Sequence, residues 1–370
     1  MDSFCFFLSA GGTGGHLFPA ESLAHELIAR GHTVHLITDH RAERFAGTFP
    51  AEIHIVPSAT FGSKNPVAVI KAAWKLFSGT RKARALFQKY RPAAVVGFGG
   101  YPTVPPLMAS TSIGIPSMVH EANAVMGRAN RMLAPRVKVI AGGFLPKDDA
   151  KFGGKIVETG NPVRQAVMAA ANTPYRKRSA SDPFHLLVFG GSQGAHFFAG
   201  AIPSALAALE DDVRARLVVT QQARPEDLDD VRERFAALGV TANVASFFDN
   251  MPELIADADL VVARSGASTV TELSVIGRPG VFVPLPHALD QDQAANAALL
   301  AKNGGAEVVR QSELTTERFV KILTDAVEQP ERLETAAAAA RAAGKPDATA
   351  RLADLAEALA SGKTIEGTSE

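Results

Sequence analysis

The feature that most constrains this chain is a design used twice. CFFLSAGGTGGHLFPAESLAHEL, residues 5–27, passes from an apolar run through a glycine-rich turn into residues with helical apolar spacing, and LLVFGGSQGAHFF, residues 186–198, repeats the design 179 residues later. Phe4 to Leu8 is an unbroken apolar run, as expected of a strand buried on both faces, and Leu17, Ala20, Leu23, Ala24, Leu27 and Ile28 follow at helical intervals. A strand that turns into a helix through glycines presents backbone N–H groups and the positive helix end, where an anion such as a phosphate can sit. Further strands read at 33–38, 94–98, 116–119, 137–141, 216–220, 243–247, 259–263 and 280–283, with helical patterns between them. Alternating strands and helices of this kind predict parallel, doubly wound sheets, and the polar stretch from Gly160 through TPYRKRSASDP reads as a linker. The expectation is therefore an α/β chain of two Rossmann-like domains, whose default ligand site is the cleft at the carboxyl ends of their strands.

Several other readings are excluded. A P-loop requires G-x-x-x-x-G-K-[ST]; the chain's only GKT, at 362–364, has Glu357 where the first glycine belongs. The dinucleotide fingerprint nearly fits from Gly12, but Leu17 stands where its third glycine should be. One cysteine, Cys5, precludes a disulfide framework or a cysteine metal set. No apolar stretch approaches the ~20 residues of a membrane span, and the N-terminus lacks a basic n-region. Asp257-x-Asp259 looks like a metal-binding pair, but it lies at a helix-to-strand junction, where helix-exit polarity accounts for it. The net charge of zero conceals an asymmetry: residues 1–164 hold 19 Lys+Arg against 10 Asp+Glu, and the remainder 19 against 28. No acidic residue occurs from 53 to 120, a stretch with eight lysines and arginines, which suggests a polyanionic partner for that half.

The second half carries its own anion seat. Strand 260–263 runs into Ser265-Gly266-Ala267-Ser268-Thr269, small residues opening a helix, and Glu272 is placed to accept ribose hydroxyls while phosphates sit on the helix end. Asp290, Gln291, Asp292, Gln293 and Asn296 add a polar cluster able to bind sugar hydroxyls.

Taken in chain order, GGTGGH at 11–16, GGY at 99–101, HEAN at 120–123, GNPVR at 160–164, GGSQGA at 190–195, RSGAST at 264–269 with Glu272, and Gln293-x-x-Asn296 resemble the MurG family. These are bacterial transferases that add N-acetylglucosamine to undecaprenyl-diphospho-N-acetylmuramoyl-pentapeptide, turning lipid I into lipid II for peptidoglycan. The resemblance covers nearly the whole chain. It implies a GT-B fold, with 1–164 as the acceptor- and membrane-associating domain and 165–345 binding UDP-N-acetylglucosamine (UDP-GlcNAc). A helix near 346–360 is expected to pack back on the first domain, followed by a disordered tail, 361–370. Matched position by position, Thr13, Gly14, Gly15 and Asn123 are donor contacts from the first domain. Arg164, Ser192, Ala267, Ser268, Thr269, Val270, Thr271, Glu272 and Gln293 match donor-binding positions, with Phe248 at a main-chain contact to uracil. Gly99, Gly100 and Tyr101 fall on the acceptor side. Ala122 stands where the family often has glutamine, and His196 where it commonly has arginine.

The implied reaction inverts the anomeric centre by direct displacement, which needs a base, stabilisation of the leaving diphosphate and alignment of both substrates. His16 is the first choice for the base and Glu121 the second; no cofactor and no metal are expected. The implied partners are UDP-GlcNAc, lipid I, the anionic inner-membrane surface at its cytoplasmic face, and cell-wall and division proteins, with no nucleic acid. Three rivals stand beside this reading: a UDP-GlcNAc 2-epimerase, a nicotinamide dehydrogenase disfavoured by the incomplete fingerprints, and a non-enzymatic nucleotide-sugar-binding membrane scaffold. On the helix within 62–84, Val67, Ile70, Ala73, Trp74 and Phe77 form one apolar stripe, flanked or followed by Lys71, Lys75, Arg81 and Lys82. Such a helix is either ordinary core or one that lies on anionic lipid.

Overall fold

The computed structural model describes residues 3–11, 14–40, 49–59, 65–149, 151–179, 182–286 and 292–365, and the side chains of Pro66 and of residues 192–195 fall outside that description. The chain divides into two units, Met1–Arg164 with Pro346–Glu370, and Gln165–Lys345.

The first unit is a seven-stranded parallel sheet. Its elements are β1 (Cys5–Ser9), α1 (Gly14–Ala29), β2 (Thr33–Thr38), β3 (Glu52–Ile55), α2 (Pro66–Tyr90), β4 (Ala94–Gly97), α3 (Val104–Ser112), β5 (Ser117–Glu121), α4 (Arg128–Leu133), β6 (Val139–Gly142) and β7 (Ile156–Glu158). The strand order is β3-β2-β1-β4-β5-β6-β7. Alternate residues of the same strands enter opposite cores. Phe6, Leu8, Val96 and Met118 pack beneath α1, while Phe7, Val95, Val119 and Ile140 pack with α2, α3 and α4. Both faces are covered, which is why the strands read as continuous apolar runs rather than alternating ones.

The second unit comprises α5 (Gln165–Ala170), β8 (Phe184–Phe189), α6 (Gly191–Ala207), α7 (Asp211–Ala215), β9 (Leu217–Gln222), α8 (Leu228–Ala237), β10 (Thr241–Ala245), α9 (Met251–Asp257), β11 (Leu260–Ala263), α10 (Ala267–Ile276), β12 (Gly280–Phe282), α11 (Asp292–Lys302), β13 (Ala306–Val308), α12 (Thr316–Glu328) and α13 (Pro330–Ala343). Six parallel strands run in the order β10-β9-β8-β11-β12-β13. Leu186, Val188, Val219 and Val262 form its core with Phe198 of α6, Phe235 of α8 and Phe319 of α12.

The chain then returns. α14 (Ala348–Ala360) lies against α1 and buries Leu352, Leu355 and Leu359 in the first unit's core. Each buried leucine is worth about 1.5–3 kcal/mol. The surface pairs Arg30–Asp354 at 2.6 Å and Arg30–Glu357 at 3.2 Å are worth at most about 1 kcal/mol each, so apolar burial holds the helix. Ile365 packs against the same core. Residues 366–370 of the expected tail lie outside the description.

Candidate active site

In the first unit, register aligns the carboxyl ends of β1, β4, β5 and β6: Ser9 pairs with Gly97, Gly97 with Val119, and Glu121 with Gly142. The GGTGGH loop, the GGY turn and the HEAN segment leave the sheet along this edge. His16 stands in the first turn of α1, and its ring explains the glycines opposite. A Cβ on Gly99 would come 3.2 Å from His16 Cε1 and one on Gly100 3.4 Å from Cδ2, and their φ angles of +92° and +75° favour glycine independently. Tyr101 opens a short 3₁₀ turn, Tyr101–Thr103, pinned by Thr103 Oγ1 donating to the Gly99 carbonyl at 2.7 Å. Burial lowers the His16 pKa below its ordinary value, against the opposing charge of Glu121 and a hydrogen bond with the Phe98 backbone. The imidazole is therefore neutral at pH 7 and able to take a proton.

Glu121 is buried and bound on both oxygens. Oε1 accepts from Asn123 N and Nδ2, each at 3.0 Å, and Oε2 from Gly127 N and Asn130 Nδ2, each at 2.9 Å. This carboxylate orders the loop after β5, a geometry that favours His16 over Glu121 as the base, and it turns Asn123 toward Glu121. GNPVR braces the same loop: the Gly160 carbonyl lies 3.2 Å from His120 Nε2, and Asn161 Nδ2 donates to the Ala122 carbonyl at 3.0 Å. Burial drives the His120 pKa down to about 4, so this ring too is neutral. Arg164 belongs to the first unit, its guanidinium 4.4 Å above the Phe18 ring of α1. Gly14 closes on Phe18 as well, since a Cβ there would lie 2.8 Å from its ring. Gly15 is exposed at the start of α1, and Thr13 lies outside the described residues.

In the second unit two helices begin at the carboxyl edge of the sheet. α6 starts at Gly191, φ +64°, whose N–H donates to Gln222 Oε1 at 3.1 Å, and Gln222 Nε2 donates to the Ser246 carbonyl just past β10. Ser192 is in that first turn, with its side chain outside the description; Phe248 sits half-buried two residues beyond Ser246. α10 starts at Ala267 behind Gly266, and no described side chain caps it. Its first N–H groups, from Ala267 to Thr269, have no partner within the helix, and an end of this kind can receive an anion. Ser268, Thr269 and Glu272 are half-buried beside it. Val270 and Thr271 turn inward instead, 2% and 5% exposed, so their side chains belong to the packing of α10 rather than its open face. Gln293 and Asn296 act on neighbouring loops: Gln293 Oε1 accepts from Leu285 N at 3.0 Å, its carbonyl accepts from Ser265 Oγ at 2.8 Å, and Asn296 Nδ2 donates to the Ser265 carbonyl. Asp290 and Gln291 lie outside the described residues.

Arg264, which opens the RSGAST run, has a supporting part that its motif does not reveal. Buried at the end of β11, its pKa lowered to about 10 by burial, it donates to the carbonyls of Val283 and Pro284 and to Gln311 Oε1, and so holds the loop after β12. Its signal is position: an arginine immediately after an apolar strand, as Gln222 is the polar last residue of β9. Asp257 and Asp259 lie at the amino edge of β11, the opposite end of the sheet, and are bound by Arg176, Arg178 and His185.

Known proteins match both halves of the chain. The glycosyltransferase family 28 N-terminal domain matches residues 6–141, and the family 28 C-terminal domain matches 185–352. Crystalline MurG from Acinetobacter baumannii superposes with a TM-score of 0.78 at 30% identity, over 96% of this chain and 99% of that one. A putative UDP-N-acetylglucosamine 2-epimerase from Listeria monocytogenes has a TM-score of 0.69 at 15% identity over 99% of both chains, a likeness of fold alone. The fold is that of the GT-B glycosyltransferases. The UDP-N-acetylglucosamine–N-acetylmuramyl-(pentapeptide) pyrophosphoryl-undecaprenol N-acetylglucosamine transferases of Agrobacterium fabrum and Rhizobium etli are 59% and 62% identical to this chain, over 99% of it and 97% and 98% of their own lengths. The chain belongs to glycosyltransferase family 28, in the MurG family.

Proposed function

We propose that the chain is the inverting hexosyltransferase that moves N-acetylglucosamine from UDP-GlcNAc to the muramoyl sugar of lipid I, forming lipid II in peptidoglycan synthesis. Identity near 60% along the whole length to transferases of that name carries the reading; the epimerases share only the fold. The second unit seats the donor. Its diphosphate lies on the N-terminus of α10, with Ser268 and Thr269 beside it and the ribose on Glu272, while Ser192 at α6 and the Phe248 main chain complete the nucleotide contacts. The first unit supplies His16, which takes the proton of the attacking acceptor hydroxyl as the bond from the anomeric carbon to UDP breaks. Positioned general bases contribute about 10²–10⁴-fold. The negative charge that grows on the leaving diphosphate is met by the helix end, a stabilisation that does not require a metal.

The acceptor lipid brings the protein to a membrane surface. No helix among the described residues is long and apolar enough to span one. On α2 the apolar stripe faces outward: Val67, Ile70, Trp74 and Phe77 are 59–69% exposed, Lys71 and Lys75 are exposed beside them, and Ala72, Ala83 and Phe87 face the core. Asn65 caps this helix by accepting from Val67 N, and Arg91 ends it in the left-handed region, so the stripe is fixed on a rigid rod. An exposed aromatic face with a basic border suits an anionic leaflet, each cation adding about 1 kcal/mol near the surface. Purified protein is given labelled UDP-GlcNAc with and without a lipid I analogue. Label reaching the lipid fraction only with acceptor supports the transferase, and sugar conversion without acceptor supports the epimerase. Sedimentation with phosphatidylglycerol vesicles, weakened by salt and lost in Trp74→Glu/Lys71→Glu, tests the surface; equal binding to neutral vesicles returns α2 to a plain exposed helix.

A further inference from the structure

Away from the residues that handle the donor and acceptor, β2 and β3 bring three ligand-type side chains together at the edge of the first sheet. His35 pairs with Glu52 across the strands and His54 pairs with Ile37, so His35, Glu52 and His54 project from one face, as same-face neighbours on parallel strands do. His54 Nε2 lies 3.2 Å from His35 Nδ1, and His35 Nδ1 lies 3.4 Å from Glu52 Oε2. One ligand atom from each of the three falls within 4.8 Å of the others, the one such group among the described residues. Tetrahedral zinc with bonds of 2.0–2.1 Å holds its ligand atoms about 3.3–3.4 Å apart, so two of these separations are already those of a coordination sphere.

We propose that His35, His54 and Glu52 form a site for a divalent zinc-class cation, with solvent or Tyr90 in the fourth position. The surroundings preorganise it. The His35 ring stacks 4.7 Å from Phe7 and lies 4.4 Å from Tyr90, and Tyr90 Oη donates to Glu52 Oε1 at 3.2 Å, which fixes the carboxylate. Lys89 lies 4.7 Å above the Tyr90 ring and opposes a cation, while the Glu52 carboxylate offsets it and leaves the site open to solvent through its 56% exposed side chain. A bound ion joins edge strand β3 to β2 and to the last turn of α2; it takes no part in sugar transfer.

The test uses the full-length chain without an affinity tag, stripped with EDTA and titrated with Zn²⁺ alone by calorimetry, with Co²⁺ as the spectroscopic probe. Expected are one ion per chain, the visible ligand-field absorption of four-coordinate cobalt, and a higher thermal midpoint with zinc. Glu52→Gln and His54→Asn each weaken zinc at least about tenfold, since even outer-shell changes cost that much, and neither changes sugar transfer measured in EDTA. Glu52 is exposed enough that Glu52→Gln folds even where His54→Asn does not. Absence of saturable zinc binding, or affinity unchanged by Glu52→Gln, reduces the cluster to a hydrogen-bonded histidine pair and overturns the proposal.

Discussion

The two glycine loops share a plan and use it for opposite ends. In the first unit the glycines make room for the protein's own side chains: a Cβ on Gly11 would lie 2.2 Å from Pro102 Cγ, one on Gly14 2.8 Å from Phe18, and those of Gly99 and Gly100 would press on His16. In the second unit Gly191 and Gly266 meet no described atom within 4 Å of such a Cβ, and behind them stand two helix N-termini. One strand–glycine–helix design thus packs the His16 imidazole in one half and leaves space in front of two helix N-termini in the other. The glycine pattern alone does not separate the two uses; what sits opposite each glycine does.

Substitutions that treat the halves differently test that contrast. Leaving His16 aside, the largest effect is expected from Glu272→Ala, which would remove the charged hydrogen bonds proposed to the ribose, worth about 1.5–3 kcal/mol each. It should raise the KM for UDP-GlcNAc by roughly tenfold to a hundredfold in initial-rate assays, with the unfolding midpoint little changed; an unaltered KM contradicts the ribose assignment. Gly11→Ala should follow, costing about 1–3 kcal/mol of stability in denaturant unfolding because the Pro102 ring cannot retreat without moving its turn. The smallest effect belongs to Gly266→Ala. Its φ of −61° suits any residue, so stability should stay within about 0.5 kcal/mol while donor KM rises; equal destabilisation by the two alanines would erase the difference between the loops.

Much of this was legible in the sequence, for a physical reason. Strands buried on both faces print as apolar runs, so β1, β2, β4 and β11 read to within a residue or two, whereas β3, β7 and β13 were missed because they are short edge strands with exposed polar positions. β10, also at an edge, was read two residues late. Loops at the carboxyl edge were legible through small and polar residues directly after strands. Partner choice was not: nothing in the order of residues shows that Glu121 is bound on both oxygens, that Val270 and Thr271 turn inward, or that the stripe of α2 points outward rather than into the core. Those facts depend on contacts between segments far apart in the chain, Asp257 and Asp259 with Arg176, Arg178 and His185 among them.

The central claim is a division of labour, with donor binding in the second unit and proton transfer in the first. His16→Asn tests it most directly, measured twice on the same preparation: UDP-GlcNAc affinity by calorimetry, and turnover with a lipid I analogue. Donor affinity should stay within about twofold of the unsubstituted protein and kcat should fall about 10²–10⁴-fold, the range of a lost general base. Near-normal turnover would remove His16 from the chemistry, and donor affinity lost together with turnover would contradict the division itself.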